Sequence, residues 1–229
     1  MTHCSRRRLF SFALLSVLPV AALAQDGSSR EDRKSQGLKE ALRVGIGNAV
    51  DLAGRVDGFF KNKTIKILMP KKLQTLEKGL RALGAGRDVD DFVLRMNRAA
   101  EQAVPEARSI FGDALREMTI QDAVKILTGG DTSATQYFQR QTSDRLRQSF
   151  APIVSRTMNE AGATKQYKKL TDKYRSFPLA KDMVVDIDDY VLDGTLRGLF
   201  QVIGDEERKI RREPAARVSR ILRDVFGNL

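Results

Sequence analysis

Apolar residues recur at intervals of three and four positions along most of the chain, which is the spacing of an amphipathic helix. The first such face follows Gly37 and comprises Leu38, Ala41, Leu42, Ile46, Ala49, Val50 and Ala53. The spacing returns near residues 73–83, 89–103, 110–118, 119–127, 134–158, 167–174, 190–210 and 218–226. Because the connections between these segments are short, the pattern predicts an all-α fold, a single-domain bundle of about eight helices over residues 37–229.

One segment departs from this spacing. In the sequence KTIKILMP (63–70), Ile65, Ile67 and Met69 occupy alternate positions, as in an extended chain, and Pro70 ends the alternation. This is the one short extended segment that we predict. A sheet of any size is not expected.

The sequence ILTGGDTSATQY (126–137) places two glycines between an apolar helix and a group of polar residues. We expect Gly129 to end the first helix in the left-handed conformation and Asp131 to cap the next helix. The segment is not a Walker phosphate loop, because no Lys-Ser/Thr pair follows the glycines and no strand precedes them. One alternative stays open, in which Thr132, Ser133 and the free amides at the helix N-terminus hold an anion.

The first 24 residues are typical of a secretory signal peptide. Three arginines at positions 6–8 precede an apolar run over 9–23, and Ala22-Leu23-Ala24 is a suitable cleavage sequence. We therefore predict a signal peptide over residues 1–24, a flexible leader over 25–36, and a periplasmic or secreted protein. No later run approaches the roughly 20 apolar residues of a membrane span. The paired arginines leave both general secretion and twin-arginine export open.

Removal of the predicted signal peptide restricts the available chemistry, since His3 and Cys4 are the only histidine and the only cysteine. Their loss excludes a Ser-His-Asp triad, a Cys-His pair, a thiolate or imidazole zinc site and any disulfide. We expect no cofactor. Catalysis by a pair of carboxylates, as in glycan hydrolysis, is the remaining route, and its candidates are Glu101, Asp131, Asp189 and Glu207. Because the chain has no Trp to form a sugar platform, we expect a protein that is not an enzyme.

The formal net charge of +11 is concentrated in one stretch. Between residues 61 and 87, eight cations stand against the single anion Glu77. Outside the cytoplasm the polyanions are anionic lipids, lipopolysaccharide and other envelope polymers, so we predict these partners and no nucleic acid. The predicted contact residues are Lys61, Lys63, Lys66, Lys71 and Lys72, with the neighbouring apolar residues as anchors. The alternative is a solvated basic face whose apolar residues turn inward.

A second candidate site is polar. Asn97, Arg98 and Glu101 share one surface of an Ala-rich helix. They are either an intrahelical pair with a capped neighbour or part of a ligand-binding pocket inside the bundle. The other residues of that pocket are Asp131, Thr132, Thr135, Gln136, Tyr137 and Arg140. A buried polar group without a partner costs about 1–3 kcal/mol, so such a cluster needs a structural or ligand partner.

A third candidate is acidic and comprises Asp182, Asp186, Asp188, Asp189 and Asp193. The spacing lacks the alternating ligands and central glycine of an EF-hand. Asp186 as a helix cap, with two acids in the first turn, favours the helix dipole without an ion. We therefore predict a cap and no metal site.

Several sequences occur in an order and at a spacing that resemble a known family: GLKEALRVGIGNAV, MNRAAEQAVPEARSIFGDAL, GGDTSATQYFQRQTSDRL, FPLAKDMVVDIDDYV and EERKIRREPAARVSRILRDVF. This is the bacterial family of domain of unknown function 4197, and the resemblance covers essentially the whole chain after the signal peptide. It implies a secreted, largely helical protein and carries no assigned activity, ligand or catalytic residue. Some relatives carry a lipoprotein signal, which this sequence lacks, so the resemblance does not imply a membrane tether here.

These observations predict an exported helical binding protein that contacts an anionic or amphipathic component of the cell envelope. Two alternatives remain at this point. One is a carboxylate-dependent hydrolase of an envelope polymer, and the other is a structural partner of another envelope protein.

Overall fold

The computed structural model describes residues 21–160, 162, 164–165, 167–168 and 185–212. The α-helices in these residues are α1 (Ala21–Gly54), α2 (Gln74–Ala82), α3 (Gly86–Ala103), α4 (Ala107–Glu117), α5 (Ile120–Thr128), α6 (Ser133–Glu160) and α7 (Ile187–Arg212). Single 3-10 turns precede α2 (Lys71–Leu73) and α4 (Val104–Glu106). The all-α class is confirmed, and the predicted number of about eight helices is slightly off. The helix predicted at 218–226 lies outside the described residues.

Four long helices, α1, α3, α6 and α7, form the centre of the bundle. α4 and α5 pack against α1 and α6, and α2 covers α3. Phe111 of α4 packs edge-on against Phe138 of α6 and Phe200 of α7, with ring centroids 5.6 and 6.1 Å apart. Such aromatic pairs contribute about 0.5–1.5 kcal/mol beyond the area they bury, so these rings tie three helices together. Among the described residues, no helix combines the length and the hydropathy of a membrane span.

α1 includes residues 25–36, where the sequence predicted a flexible leader. Ser35 and Leu38 are already buried, so α1 packs against the rest of the bundle from about residue 35 onward. Extending an existing helix requires no new nucleation, and the Arg, Glu, Lys and Gln residues of the segment have good helix propensity. The helical backbone therefore differs from the expectation.

α2 ends as the sequence predicted. Gly84 has a φ of 84°, a left-handed conformation that is accessible to glycine at little cost. The amide of Gly84 donates to the carbonyl of Arg81 (3.1 Å) and the amide of Ala85 donates to that of Leu80 (2.9 Å). This pair of bonds is a Schellman motif.

Gly129 is required for a different reason from the one predicted. Its φ of −84° and ψ of −179° are extended rather than left-handed. A Cβ atom at this position would lie less than 3.0 Å from the Ser133 hydroxyl and 2.8 Å from the Lys125 carbonyl oxygen. The glycine allows the start of α6 to approach the end of α5 closely.

The predicted extended segment is present, although it is not a β-strand. Ile65, Ile67 and Met69 are buried, whereas Leu68 is 60% exposed, so the side chains alternate as expected. No strand occurs in the part of the chain that the structure describes. The segment runs beside α7 at a place where that helix has two glycines, Gly194 and Gly198.

These two glycines allow the close approach. A Cβ atom at Gly194 would lie 3.0 Å from the side chain of Ile67, and one at Gly198 would lie less than 3.0 Å from the ring of Phe59. Phe59 is fully buried, so its ring has no free space into which to move. The packing of residues 59–67 on α7 therefore depends on the absence of side chains at these positions.

We expect Gly198→Ala to lower the free energy of unfolding by about 1–3 kcal/mol, because the added methyl group overpacks the contact with Phe59. The matched control is Gly112→Ala in α4, where the nearest atom is the end of the Arg116 side chain at 3.8 Å. This control should gain up to about 1 kcal/mol from helix propensity. Urea unfolding measures both variants, and equal changes in the two would contradict the packing argument.

Candidate functional site

Asn97 of α3 takes the place of a strand partner for the extended segment. Its side-chain oxygen accepts the amide of Ile67 and its side-chain nitrogen donates to the carbonyl of Ile67, each at 2.8 Å. The nitrogen also donates to the carbonyl of Val93 at 2.7 Å. Asn97 is fully buried, and these bonds satisfy backbone groups that would otherwise be costly to bury.

Glu101 lies one helical turn after Asn97 and holds the beginning of the same region. One of its oxygens accepts the amides of Phe59 (3.0 Å) and Phe60 (3.1 Å). The other accepts from Arg98 at 2.5 Å. Glu101 is only 3% exposed, and amide donors together with a cation stabilise its buried charge.

Arg98 extends this network to the turn that follows α1. Its second terminal nitrogen donates to Asp57 at 2.7 Å, and the ammonium of Lys61 binds the other Asp57 oxygen at 2.7 Å. Asp57 has a φ of 67°, a conformation in which Asp and Asn are enriched among non-glycine residues. We call Asp57, Lys61, Asn97, Arg98 and Glu101 the anchor cluster, because together they fix residues 57–67 on α3.

The N-terminus of α6 already holds an anion, which is the carboxylate of Glu207 from α7. Its oxygens accept the amides of Ala134 (2.9 Å) and Thr135 (2.8 Å), and also the Thr135 hydroxyl (2.7 Å). Arg211 donates to the same carboxylate at 3.0 Å. Carboxylates at a helix N-terminus are stabilised by the free amides and the helix dipole. The protein itself thus supplies the anion that the sequence left open for a ligand.

Asp131 does not bind these amides as the sequence predicted. It pairs with Arg212 of α7, and this cation lowers the pKa of Asp131 below its usual range by hydrogen bonding. Thr132 accepts from the side chain of Gln136 at 3.3 Å. The ion pair between Asp131 and Arg212 therefore fixes the connection between α5 and α6 to the end of α7.

The structure separates the predicted ligand-binding residues into two groups. Asn97, Arg98 and Glu101 bind residues 57–67, whereas Asp131 and Thr135 bind α7. No hydrogen bond or ion pair between described residues joins the two groups. Two further members of the predicted set belong to neither group. Tyr137 is buried with its ring against that of Phe138, with 5.4 Å between the centroids, and Arg140 is exposed.

The acidic segment caps and braces α7. Asp186 accepts the amide of Asp189 at 3.0 Å, which is the predicted cap. Arg147 of α6 binds both Asp189 and Asp193. Asp182 lies outside the described residues, and within the described ones no group of three or more acidic, His or Cys side chains suits a metal ion.

The predicted contact lysines surround the extended segment. Lys61 belongs to the anchor cluster, and Lys66 lies over the ring of Phe60 at 4.0 Å. Lys63, Lys71 and Lys72 are exposed and form no ion pair with any described residue. The apolar residues between them are buried except for Leu68. The apolar residues mostly turn inward while Lys63, Lys71 and Lys72 stay outside, which is the arrangement of the solvated basic face. Contact of these lysines with an anionic partner stays a prediction.

Two grooves flank this segment. The α7 groove, with a volume of about 400 Å³, lies between residues 64–69, the start of α2, and α7. The α2 groove, of about 560 Å³, lies between the segment, α2 and α3. Their linings share four residues: Lys66, Leu68, Met69 and Gln74.

The two grooves differ in charge. The charged residues of the α2 groove are Lys66, Lys78, Arg81, Glu77 and Asp90, and Arg81 pairs with both of these acids. Those of the α7 groove are Lys66, Lys71 and Arg197, without any carboxylate. Arg197 could not be assigned to this groove from the sequence, because no local pattern brings a residue of α7 beside the basic stretch.

A family model described as "Protein of unknown function (DUF4197)" matches residues 28–227. The match covers nearly the whole chain and confirms the resemblance drawn from the sequence. Comparisons with curated proteins and with solved structures gave no match.

We expect Glu101→Gln to lower the free energy of unfolding by about 1–3 kcal/mol. The amide oxygen can still accept from residues 59 and 60, but the new amino group faces the donors of Arg98. Glu117→Gln removes one carboxylate from an exposed pair with Arg145 at 3.4 Å and should change stability by less than about 0.5 kcal/mol. Chemical denaturation compares the two, and a Glu101→Gln variant as stable as the control would contradict the anchoring role.

The anchor cluster also predicts a dependence of stability on pH. Hydrogen bonds from Lys61 and then Arg98 hold the pKa of Asp57 below its usual range. A carboxylate with a lowered pKa stabilises the fold above its unfolded pKa of about 3.9, and this contribution is lost as the pH falls through the folded value.

Asp57→Asn should therefore be less stable than the parent at pH 7, and the difference should shrink as the pH falls below about 4. Asn tolerates the same left-handed backbone, so the substitution isolates the charge. The control is Asp144→Asn on the exposed face of α6, which should not change the pH profile. Thermal unfolding between pH 3 and 7 measures both, and a difference that is constant over this range would refute the ionic role of Asp57.

Proposed function

This chain belongs to the DUF4197 family, whose description assigns no activity, and from the geometry of the described residues we propose that it binds an anionic, amphipathic component of the cell envelope. The observation that carries the proposal is the charge of the α7 groove, whose lining contains three cations and no carboxylate. The component is a lipid whose head group carries phosphate, displayed at a membrane surface. The signal peptide predicted from the sequence supports an interaction outside the cytoplasm.

The surroundings of the groove support binding to such a surface. The exposed Lys63 and Lys72 add positive charge close to the segment, and each lysine near an anionic bilayer contributes about 1 kcal/mol of attraction. Leu68 is 60% exposed among these cations. At an anionic lipid surface, burial of the Leu68 side chain would add to the electrostatic attraction of the lysines.

The carboxylates that the sequence offered for hydrolysis are all engaged in the structure. Glu101 and Glu207 are buried and bind backbone amides and arginines. Asp131 and Asp189 pair with Arg212 and Arg147. No observation brings two of them together in a groove, so we propose binding rather than catalysis.

We expect the mature protein to co-sediment with vesicles that contain phosphatidylglycerol, but not with vesicles of phosphatidylcholine alone. Replacing Lys63, Lys71 and Lys72 together with Gln should weaken this binding roughly a hundredfold, since about 1 kcal/mol is lost per lysine. Added salt should weaken the parent's binding in the same direction.

The matched control replaces Lys125, Arg140 and Arg156, three exposed cations of α5 and α6, with Gln. It makes the same change in net charge and should retain most of the binding. Equal losses in the two triple variants, or equal binding to neutral vesicles, would refute a binding face at the basic stretch.

A further inference from the structure

We infer that the α7 groove is a discrete site for one phosphate group, held between Lys71, in the 3-10 turn before α2, and Arg197 of α7. The inference rests on the proposed function and deepens it, because it replaces a diffuse basic surface with two cations from separate elements. The ligand chemistry is a phosphate ester, either as the head group of a lipid or as a soluble molecule.

Arg197 differs from the other cations of α7. Arg208, Lys209, Arg211 and Arg212 each pair with a carboxylate, namely Asp205, Glu206, Glu207 and Asp131. Arg197 forms no ion pair with any residue that the structure describes. The other four cations of α7 each bind a carboxylate of the protein. The guanidinium of Arg197, which is exposed and lines the groove, is therefore the α7 cation that can bind an external anion.

The position of Arg197 on α7 directs it to the groove. The residues that α7 contributes to the lining are Tyr190, Gly194, Arg197, Gly198 and Gln201. They recur at helical intervals of three and four, so they form one stripe on a single face of the helix. At the centre of this stripe Ile67 and Phe59 pack on the two glycines, and the glycines line the groove there together with Tyr190, Arg197 and Gln201.

Tyr190 connects this stripe to the extended segment. Its hydroxyl donates to the carbonyl of Leu68 at 3.1 Å. Burial raises the pKa of Tyr190, and the nearby charge of Arg197 acts in the opposite direction. Arg197 lines the same groove as Tyr190 and residues 64–69, so the guanidinium lies beside the segment that carries the lysines.

The dimensions and chemistry of the groove fit a head group. A volume of about 400 Å³ is within the range of about 300–1,000 Å³ of small-molecule sites. Arginine presents a planar set of donors that binds phosphate oxygens in pairs, and lysine adds a point charge. Thr64, Gln74 and Gln201 also line the groove and supply neutral hydrogen-bonding groups.

The experiment compares single substitutions that remove the same charge inside and outside the groove. Lys71→Gln and Arg197→Gln remove groove cations, whereas Lys72→Gln removes the adjacent exposed lysine, which does not line the groove. Binding is measured by titration with phosphatidylglycerol vesicles and, separately, with soluble glycerol phosphate. Urea unfolding of each variant confirms that all three remain folded.

We expect each groove variant to lose at least tenfold in vesicle affinity and Lys72→Gln to lose no more than about fivefold, the factor that about 1 kcal/mol for one surface lysine gives. Binding of soluble glycerol phosphate with the same ranking supports the site and shows that a free phosphate ester suffices. The same ranking on vesicles alone also supports it and assigns the phosphate of a membrane lipid as the ligand.

Equal losses for Lys71→Gln and Lys72→Gln, with Arg197→Gln unchanged, would overturn the discrete site while leaving a diffuse basic surface intact. Absence of parent binding to both vesicles and glycerol phosphate would overturn both this inference and the proposed function. Parent binding to glycerol phosphate alone, with the expected ranking of variants, would support the site while overturning the membrane lipid of the proposed function. The two failures are thus distinguishable.

Discussion

Two side chains of α3 provide the hydrogen bonds on which the rest of this architecture depends. Residues 57–70 cross the side of a helical bundle without forming a helix of their own, and buried backbone groups in such a segment need partners. Asn97 supplies both bonds to Ile67, and Glu101 supplies those to residues 59 and 60. A helix thereby performs the role that a neighbouring strand has in a sheet, and residues 57–70 combine turns with a short extended stretch in an all-α protein.

The charged surface follows from this arrangement. Within residues 65–69 the buried side chains of Ile65, Ile67 and Met69 alternate with the half-buried Lys66 and the exposed Leu68. Lys61 and Lys63 lie in the turns that precede this stretch, and Lys71 and Lys72 lie in the 3-10 turn that follows it. The extended backbone also leaves a groove on each side, and only the groove beside α7 lacks carboxylates.

Much of the fold could be predicted from local patterns, because helical spacing and the glycine at position 84 act over a few residues. The candidate site was harder to predict from the sequence. The polarity of Asn97 and Glu101 was visible within an apolar helix, and the need for a structural or ligand partner was recognised. The partner itself, the backbone of residues 59–67, follows from tertiary packing alone. Similarly, the anion expected near Thr132 is Glu207, a residue more than seventy positions later in the chain, and Arg197 has no sequence signal that relates it to the lysines.

The two points of attachment on α3 also set the length of the chain between them. Asn97 and Glu101 are separated by one turn of a rigid helix, about 5–6 Å along its axis, and the backbone groups that they bind are those of Ile67 and of Phe59 and Phe60. Inserting or deleting one residue between Phe60 and Ile67 would shift the backbone of Ile67 away from Asn97 and leave buried polar groups without these hydrogen bonds. The length of this connection is therefore more constrained than the identity of its exposed side chains, such as Lys63, which take no part in the anchoring bonds.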